Sequence, residues 1–252
     1  MPAATLHRPA DRIVLLGLGA LVAALILLVA IFPPRLSDGP AGGSIFQPEL
    51  VPAVAEHNGQ SVIYVMKHEV TVAEWNRCHA DGGCALELRT RAKQDAGTTP
   101  ATGLSYLDVS EYLAWINARS DGGYRLPRVA EWEHLAAPVL PEEPDPIFTD
   151  PDLTWASTYL LGEQKSRALR PQGSYATTPD GIVDMDGNVW EWTQDCYAGA
   201  SGASTSRCPA YFVAGEHLAA VPFLVRDPAR GGCAVGSPPA HLGLRLVRDT
   251  PL

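Results

Sequence analysis

The 252-residue sequence has no lysine/arginine cluster beyond its N-terminal flank, and only 19% of its residues are charged. A nucleic-acid-binding domain needs a basic patch, so this composition argues against nucleic acid as a partner. The formal net charge is -9. That acidic balance suits either a soluble surface or a calcium site, and by itself it selects neither.

Signature motifs of several large enzyme classes are also absent. The sequence contains no G-x-S-x-G, no P-loop and no H-E-x-x-H, so it carries no signal for the hydrolase, nucleotide-binding or zinc-protease chemistry of those motifs. Its seven histidines lack the paired spacing of metal ligands. A non-haem iron site therefore finds no support in their spacing.

One long apolar run stands near the N-terminus. Residues 13–32 carry no charge, and as a helix they would span about 30 Å, the thickness of a bilayer's hydrocarbon core. The alternative is a cleaved signal peptide. However, the run exceeds the roughly 7–15-residue core of such a signal, and no A-x-A site follows it. Arg8 and Arg12 precede the run, whereas only Arg35 follows it closely. These charges predict a single-pass anchor with a cytoplasmic N-terminus and a periplasmic domain, for which a bacterial inner membrane is the natural setting.

The sequence therefore divides into four parts. We predict a cytoplasmic N-terminus (1–12), a transmembrane anchor (13–32), a Pro/Gly-rich linker (33–49) and one globular domain (50–252). Capping boxes at Thr71/Glu74 and Ser105/Asp108 predict two helix starts, and a third helix is expected from about Pro127. Strands are expected at 61–66, 181–185, 189–193, 229–234 and 242–247. Short helices followed by short strands and many turns predict an irregular α+β fold.

Four of the five cysteines form two pairs that each close a short loop. Cys78 and Cys84 flank a Gly-containing turn, and Cys196 and Cys208 flank a Gly/Ser-rich segment. Such pairs are typical of structural disulfides in oxidising compartments. The alternative is a four-cysteine zinc site, but neither pair has a zinc-site spacing. Cys233 is left over, either as an inert buried thiol or as a reactive one.

The most informative segments are YRLPRVAEWE at 124–133, GIVDMDGNVWEW at 181–192, RGG at 230–232 and GLR at 243–245, with EVT upstream at 69–71. In this order they resemble the sulfatase-modifying factors, the family of the formylglycine-generating enzymes. DMDGNVWEW is the specific signal, since each of the others alone would be weak. The resemblance covers residues 62–247 and implies a C-type-lectin-like fold, with little regular secondary structure around small antiparallel sheets.

The resemblance also implies a calcium site in the second motif, carried here by Asp184, Gly187, Val189 and Glu191. The residue types agree with this, because two carboxylates and turn carbonyls offer the oxygen ligands that calcium requires. The alternative is a solvated turn with surface acids. Calcium is therefore the expected cofactor of the scaffold.

A second set of motif residues is expected to have structural roles. Asn188 belongs to the turn of the second motif, and Trp190 is expected in the core. Internal ion pairs and hydrogen bonds that order the loops are expected from Arg125, Glu131, Arg230 and Arg245. Arg128 stands where the family has threonine, so the third helix lacks its usual N-cap.

Copper is the cofactor that the resemblance would imply for an oxidase acting on a client cysteine. Two thiolates suit Cu(I), and in the family they lie after RGGS in a long loop. Here nine residues separate Cys233 from Gly243, and none is a cysteine. Cys233 itself takes the serine position of that motif and matches neither ligand. Ligand spacing therefore supports neither copper nor non-haem iron.

Two functions are compatible with these observations. The first is an accessory, maturation or binding factor for another extracytoplasmic protein. The second is a metal-dependent oxidoreductase of the formylglycine-generating type, with Cys233 as the candidate catalytic residue. The short segment after Cys233 favours the first.

Overall fold

The computed structural model describes residues 47–55, 61–141, 168–197, 208–227 and 240–251. The anchor expected at 13–32, the strand expected at 229–234, Arg230 and Cys233 lie outside these residues. Within the described ranges, no helix has the length and apolar character needed to cross a membrane.

Strands and helices follow one another in the order of an α+β fold. The elements are β1 (Leu50–Val54), β2 (Val62–Met66), α1 (Val72–Ala80), α2 (Tyr106–Arg119), α3 (Val129–Ala136), β3 (Trp190–Tyr197), β4 (Ala210–Ala214), β5 (Leu218–Pro222), β6 (Leu242–Gly243) and β7 (Val247–Arg248). One sheet has the order β1-β2-β7 and is antiparallel. The other has the order β5-β4-β3-β6, in which β3 and β6 run parallel.

The segment 244–246 connects the two sheets, and its backbone accepts hydrogen bonds from the end of β2 and from the chain just after it. The amide of Met66 donates to the carbonyl of Leu246 at 2.9 Å, and that of Val70 donates to Leu244 at 3.0 Å. Leu244 and Leu246 are completely buried. Arg245 lies between them, so its side chain starts from the interior of the domain.

The first two helices begin where the sequence predicted. Thr71 and Glu74 form a reciprocal capping box at α1, and Ser105 with Asp108 forms one at α2. Each box satisfies amides that the first helical turn leaves unpaired. Both helices then bury aromatic side chains on one face, and Trp75 of α1 stacks on Tyr112 of α2 with ring centroids 5.4 Å apart.

The third helix starts with an imperfect cap. The amide of Arg128, its N-cap residue, donates to Glu131 at 2.8 Å, but the arginine side chain makes no capping hydrogen bond. The amide of Val129 instead donates a hydrogen bond to Oδ2 of Asp195, in β3, at 2.6 Å. The expected loss of the threonine cap is therefore confirmed, with a compensating carboxylate from the neighbouring sheet.

Restoring this cap should stabilise the protein. We expect Arg128→Thr to raise the free energy of unfolding by about 0.5–1 kcal/mol, because a threonine hydroxyl can accept an amide hydrogen bond in the first turn. Urea unfolding followed by circular dichroism measures the gain. Arg128→Ala removes the same charge without supplying a hydroxyl. An equal gain in both variants would mean that charge removal, rather than capping, is responsible.

Two expectations about strands were wrong, and three strands were not predicted. Residues 181–185 form no strand: this stretch makes a tight turn, with a single bridge between Thr177 and Val183. The strand expected at 242–247 is split into β6 and β7. Strands β1, β4 and β5 were not predicted. β1 contains a proline, and in β4 and β5 the alternation of apolar and polar residues is weak.

Both expected disulfides are present. Cys78–Cys84 links the last turn of α1 to the loop after it, and Cys196–Cys208 joins the end of β3 to the start of β4. Cys78 and Cys84 are buried. These four cysteines are bonded to one another, so they do not form the alternative zinc site.

Candidate functional site

The residues of the family motifs meet at a buried arginine. Arg245 is 1% exposed and donates from Nε and Nη2 to Glu191 Oε1, at 3.0 and 2.8 Å. The same guanidinium donates to the carbonyls of Met66, Lys67 and Val183, at 2.8–3.0 Å. One side chain thus ties the end of β2, the turn at 183 and strand β3 together. Burial alone would lower the pKa of Arg245, but Glu191 and Glu69 hold it above its ordinary value.

Glu191 is fully engaged by donors from the protein. One carboxylate oxygen accepts the two bonds from Arg245, and the other accepts Trp132 Nε1 at 2.8 Å. Trp132 lies on α3, so this contact fixes that helix to β3. Glu191 is 1% exposed and belongs to an internal network.

Glu69 is the most unusual group of this cluster. It is completely buried, and neither of its carboxylate oxygens has a hydrogen bond within the described residues. Its nearest cation is Arg245, with Oε2 3.8 Å from Nη2. Burial raises the pKa of Glu69 to about 8, because the charged form is poorly solvated there. Sequence reasoning did not single out Glu69, although it is the first residue of the EVT motif.

Asp184 organises the loop before it. Its backbone has a φ of 66°, and its two carboxylate oxygens accept the amides of Gly173 and Tyr175. The following turn is equally constrained. Asn188 has a φ of 70°. Its side-chain Oδ1 accepts the backbone amide of Arg170 at 2.9 Å, and its Nδ2 donates to the carbonyl of Arg170 at 3.0 Å. A Cβ on Gly187 would collide with the ring of Tyr175, so this position requires glycine.

The residues expected to bind calcium already make hydrogen bonds within the protein. Both carboxylates are already used by protein donors, and the carbonyl of Gly187 accepts the amide of Val189 at 2.9 Å. A calcium ion needs six to eight oxygen ligands, so it would have to displace several of these bonds. Across the described ranges, no group of three or more His, Cys, Asp or Glu side chains is arranged to hold a metal. Calcium binding at Asp184, Gly187, Val189 and Glu191 stays a prediction without geometric support.

The thiolates that copper would need are not supplied by the described cysteines either. Two disulfides use four of the five cysteines. Cys233 lies outside the described residues. We therefore derive no chemical step through copper.

A second clamp joins α3 to the end of the chain. Arg125 binds Glu131 with two hydrogen bonds, at 2.7 and 2.8 Å, and Asp249 at 2.6 Å. Arg125 and Glu131 therefore take part in an internal ion pair, as expected of each of them, and the structure identifies them as each other's partners. Trp190 is also buried, as expected, with its ring edge-on to His217.

Comparison with known proteins agrees with these motifs. Residues 49–250 match the sulfatase-modifying factor enzyme 1-like domain. A serine/threonine-protein kinase, pkn1, of Chlamydia caviae is 32% identical over 98 residues, which are 39% of this chain and 14% of the kinase. Mouse inactive C-alpha-formylglycine-generating enzyme 2 is 31% identical over 111 residues, which are 39% of this chain and 32% of the mouse protein. The matches thus span less than a third of each curated relative.

Solved structures of low sequence identity share the fold. PvdO from Pseudomonas aeruginosa superposes with a TM-score of 0.51 and 19% identity, covering 84% of this chain and 89% of PvdO. CarF gives a TM-score of 0.50 and 18% identity, covering 82% and 95%. With the domain match over 49–250, these similarities show that the chain belongs to the sulfatase-modifying factor enzyme 1-like family and has its α+β fold.

Proposed function

We propose that this protein is an accessory factor that binds another extracytoplasmic protein and assists its maturation. The proposal is based on the hydrogen bonds of the motif residues. The polar groups of Arg245, Glu191 and Asp184 bond to loops and strands of their own domain. A rigid scaffold of this kind suits the presentation of a binding surface.

The comparisons support this proposal in one further respect. A mouse relative matched over 39% of this chain is named an inactive formylglycine-generating enzyme. The family domain therefore occurs in a protein named as inactive. That precedent makes a binding role for this chain reasonable.

The proposed location follows from the N-terminal sequence and the disulfides. Residues 13–32 would anchor the chain in the inner membrane, 1–12 would remain in the cytoplasm, and 33–49 would link the anchor to a periplasmic domain at 50–252. Two disulfides in the domain agree with an oxidising compartment.

A redox function is the second candidate, and the family resemblance of the motifs favours it. Once the two disulfides form, Cys233 is the single remaining cysteine. In this alternative the protein would be a metal-dependent oxidoreductase in which the Cys233 thiol helps to hold the metal, and O2 would accept the electrons taken from a client cysteine. The two candidates differ in what they require of Cys233.

The test is replacement of the chromosomal copy by a C-terminally tagged full-length chain, either wild type or Cys233→Ala. Crosslinking of intact cells and affinity purification then identify the bound protein, and its cellular amount is measured in parallel. An accessory role predicts that both versions capture the same protein and keep its amount normal, whereas deletion of the chain lowers it. Loss of the partner's maturation in Cys233→Ala cells, at normal levels of the variant, contradicts this role and favours the redox candidate.

A further inference from the structure

A small surface cleft is lined by residues other than those of the Arg245–Glu191–Glu69 cluster. Its volume is about 140 Å³, and it opens between the loop after α1, the residues before α2, and the chain at 169 and 241. The apolar wall comes from Val72, Leu88, Pro100 and Leu169. Two arginines, Arg89 and Arg91, line the cleft with them.

The guanidinium groups of Arg89 and Arg91 make few interactions with the described residues of the protein. Arg89 has a carboxylate neighbour in Glu87, but at 3.9 Å and with side chains 87% and 55% exposed, this pair contributes little. For the Arg91 guanidinium, no hydrogen bond or ion pair occurs within the described ranges. The backbone of Arg91 is nevertheless held, because its amide donates to Gln94 Oε1 and its carbonyl accepts the Gln94 amide, both at 3.0 Å. The backbone of this loop is held by hydrogen bonds, while the side chains of Arg89 and Arg91 are exposed to solvent.

The volume limits what the cleft can accept. Pockets for whole small molecules measure about 300–1,000 Å³, so about 140 Å³ fits one side chain better than a complete metabolite. The polar liners include Thr102 and Gln94, whose side-chain NH2 group can donate hydrogen bonds beside the two cations while its Oε1 accepts the Arg91 amide. Guanidinium groups recognise carboxylates with paired, charge-assisted hydrogen bonds. The apolar wall suits the methylene stem of such a side chain.

We propose that this cleft binds an acidic side chain, presented by an extended peptide segment of the protein partner. This inference rests on the proposed binding function and names the chemistry of its contact. The site could not be predicted from the sequence because its other walls come from distant parts of the chain, near residues 169 and 241.

The test uses fluorescence anisotropy with the purified full-length chain in a mild detergent. The probe is a fluorescein-labelled decapeptide of alternating glutamate and glycine, and its partner probe has glutamine in place of glutamate. We expect the glutamate peptide to bind at least about tenfold more tightly than the glutamine peptide, since hydrogen bonds from a guanidinium to a carboxylate are stronger than those to a neutral amide. Arg89→Gln/Arg91→Gln should remove most of this preference.

Arg128→Gln is the matched control, because Arg128 is also exposed and lies outside the cleft. It should leave the affinity within about twofold of wild type, while an unchanged melting temperature shows that the double variant is folded. Equal binding of both peptides, or equal losses in the control and the double variant, would overturn the inference. If the Arg89→Gln/Arg91→Gln variant still captures the partner in cells, the cleft is rejected as the binding site and the accessory function is kept. If the glutamate peptide binds but no partner is captured in cells, the cleft is kept and the accessory function is rejected.

Discussion

Replacing Arg245 by methionine should lower the melting temperature by about 10 °C or more, corresponding to a loss of about 3–5 kcal/mol. The substitution keeps much of the side-chain volume but removes the cation that Glu191 binds at 2.8 Å. Glu191 and Glu69 would then be buried carboxyls without a cation. Three carbonyl oxygens, at residues 66, 67 and 183, would also lose their donor. Thermal unfolding at pH 7, followed by calorimetry, measures the effect.

Arg248→Met is the control for this variant. Arg248 is also buried, at 3% exposure, but its carboxylate partner Asp121 has a side chain that is 59% exposed. Water can solvate Asp121 after the cation is lost, so the destabilisation should be clearly smaller. Adding Glu191→Gln to Arg245→Met should recover part of the loss, because it removes the stranded charge. Similar melting temperatures for the two single variants would show that Arg245 is not the central tie of the domain.

Replacing Glu69 by glutamine should stabilise the protein at neutral and alkaline pH. An ordinary glutamate has a pKa of 4.5, whereas burial raises the pKa of Glu69 to about 8. Between these values the folded chain holds a proton that the unfolded chain has released, so stability falls as the pH rises from about 4.5 to about 8. Glutamine is neutral throughout and avoids this loss. We expect a gain on the order of 3 kcal/mol at pH 8 and almost none near pH 4.5.

Urea unfolding at several pH values tests this expectation. Glu49→Gln is the control, since Glu49 pairs with Lys67 at the surface and its side chain is 65% exposed. Its pH profile of stability should follow that of the wild type. A Glu69→Gln variant that is less stable than wild type at pH 8 would mean that the ionised carboxylate stabilises the fold through Arg245.

Local sequence patterns predicted the parts of the fold that depend on neighbouring residues. Thr71/Glu74 and Ser105/Asp108 form caps within one turn, so their spacing alone specifies the helix starts. The disulfide Cys78–Cys84 likewise closes a six-residue separation. Strands β4 and β5 were missed because their pairing depends on β3, and their own alternation of apolar and polar residues is weak.

The site was harder to predict because residues far apart in the sequence decide its chemistry. Asp184 and Glu191 have the residue types of a calcium site, and only their partners reveal that both carboxylates are used internally. Those partners are the amides of Gly173 and Tyr175 for Asp184, and Trp132 with Arg245 for Glu191. Glu69 belongs to the EVT motif, but nothing local indicates its pKa. Burial raises that pKa, and so do the charges of Glu191 and Asp184, which lie more than a hundred residues away in the sequence.

The central functional claim is that this chain assists a partner without changing its covalent structure. The most direct measurement is peptide mass spectrometry of the partner that the capture identifies, purified through a tag of its own from wild-type cells and from cells that lack the chain. We predict that the partner's cysteines have the same masses in both, while the partner's amount falls without the chain. A cysteine converted to formylglycine only when the chain is present would contradict the claim and establish an oxidase.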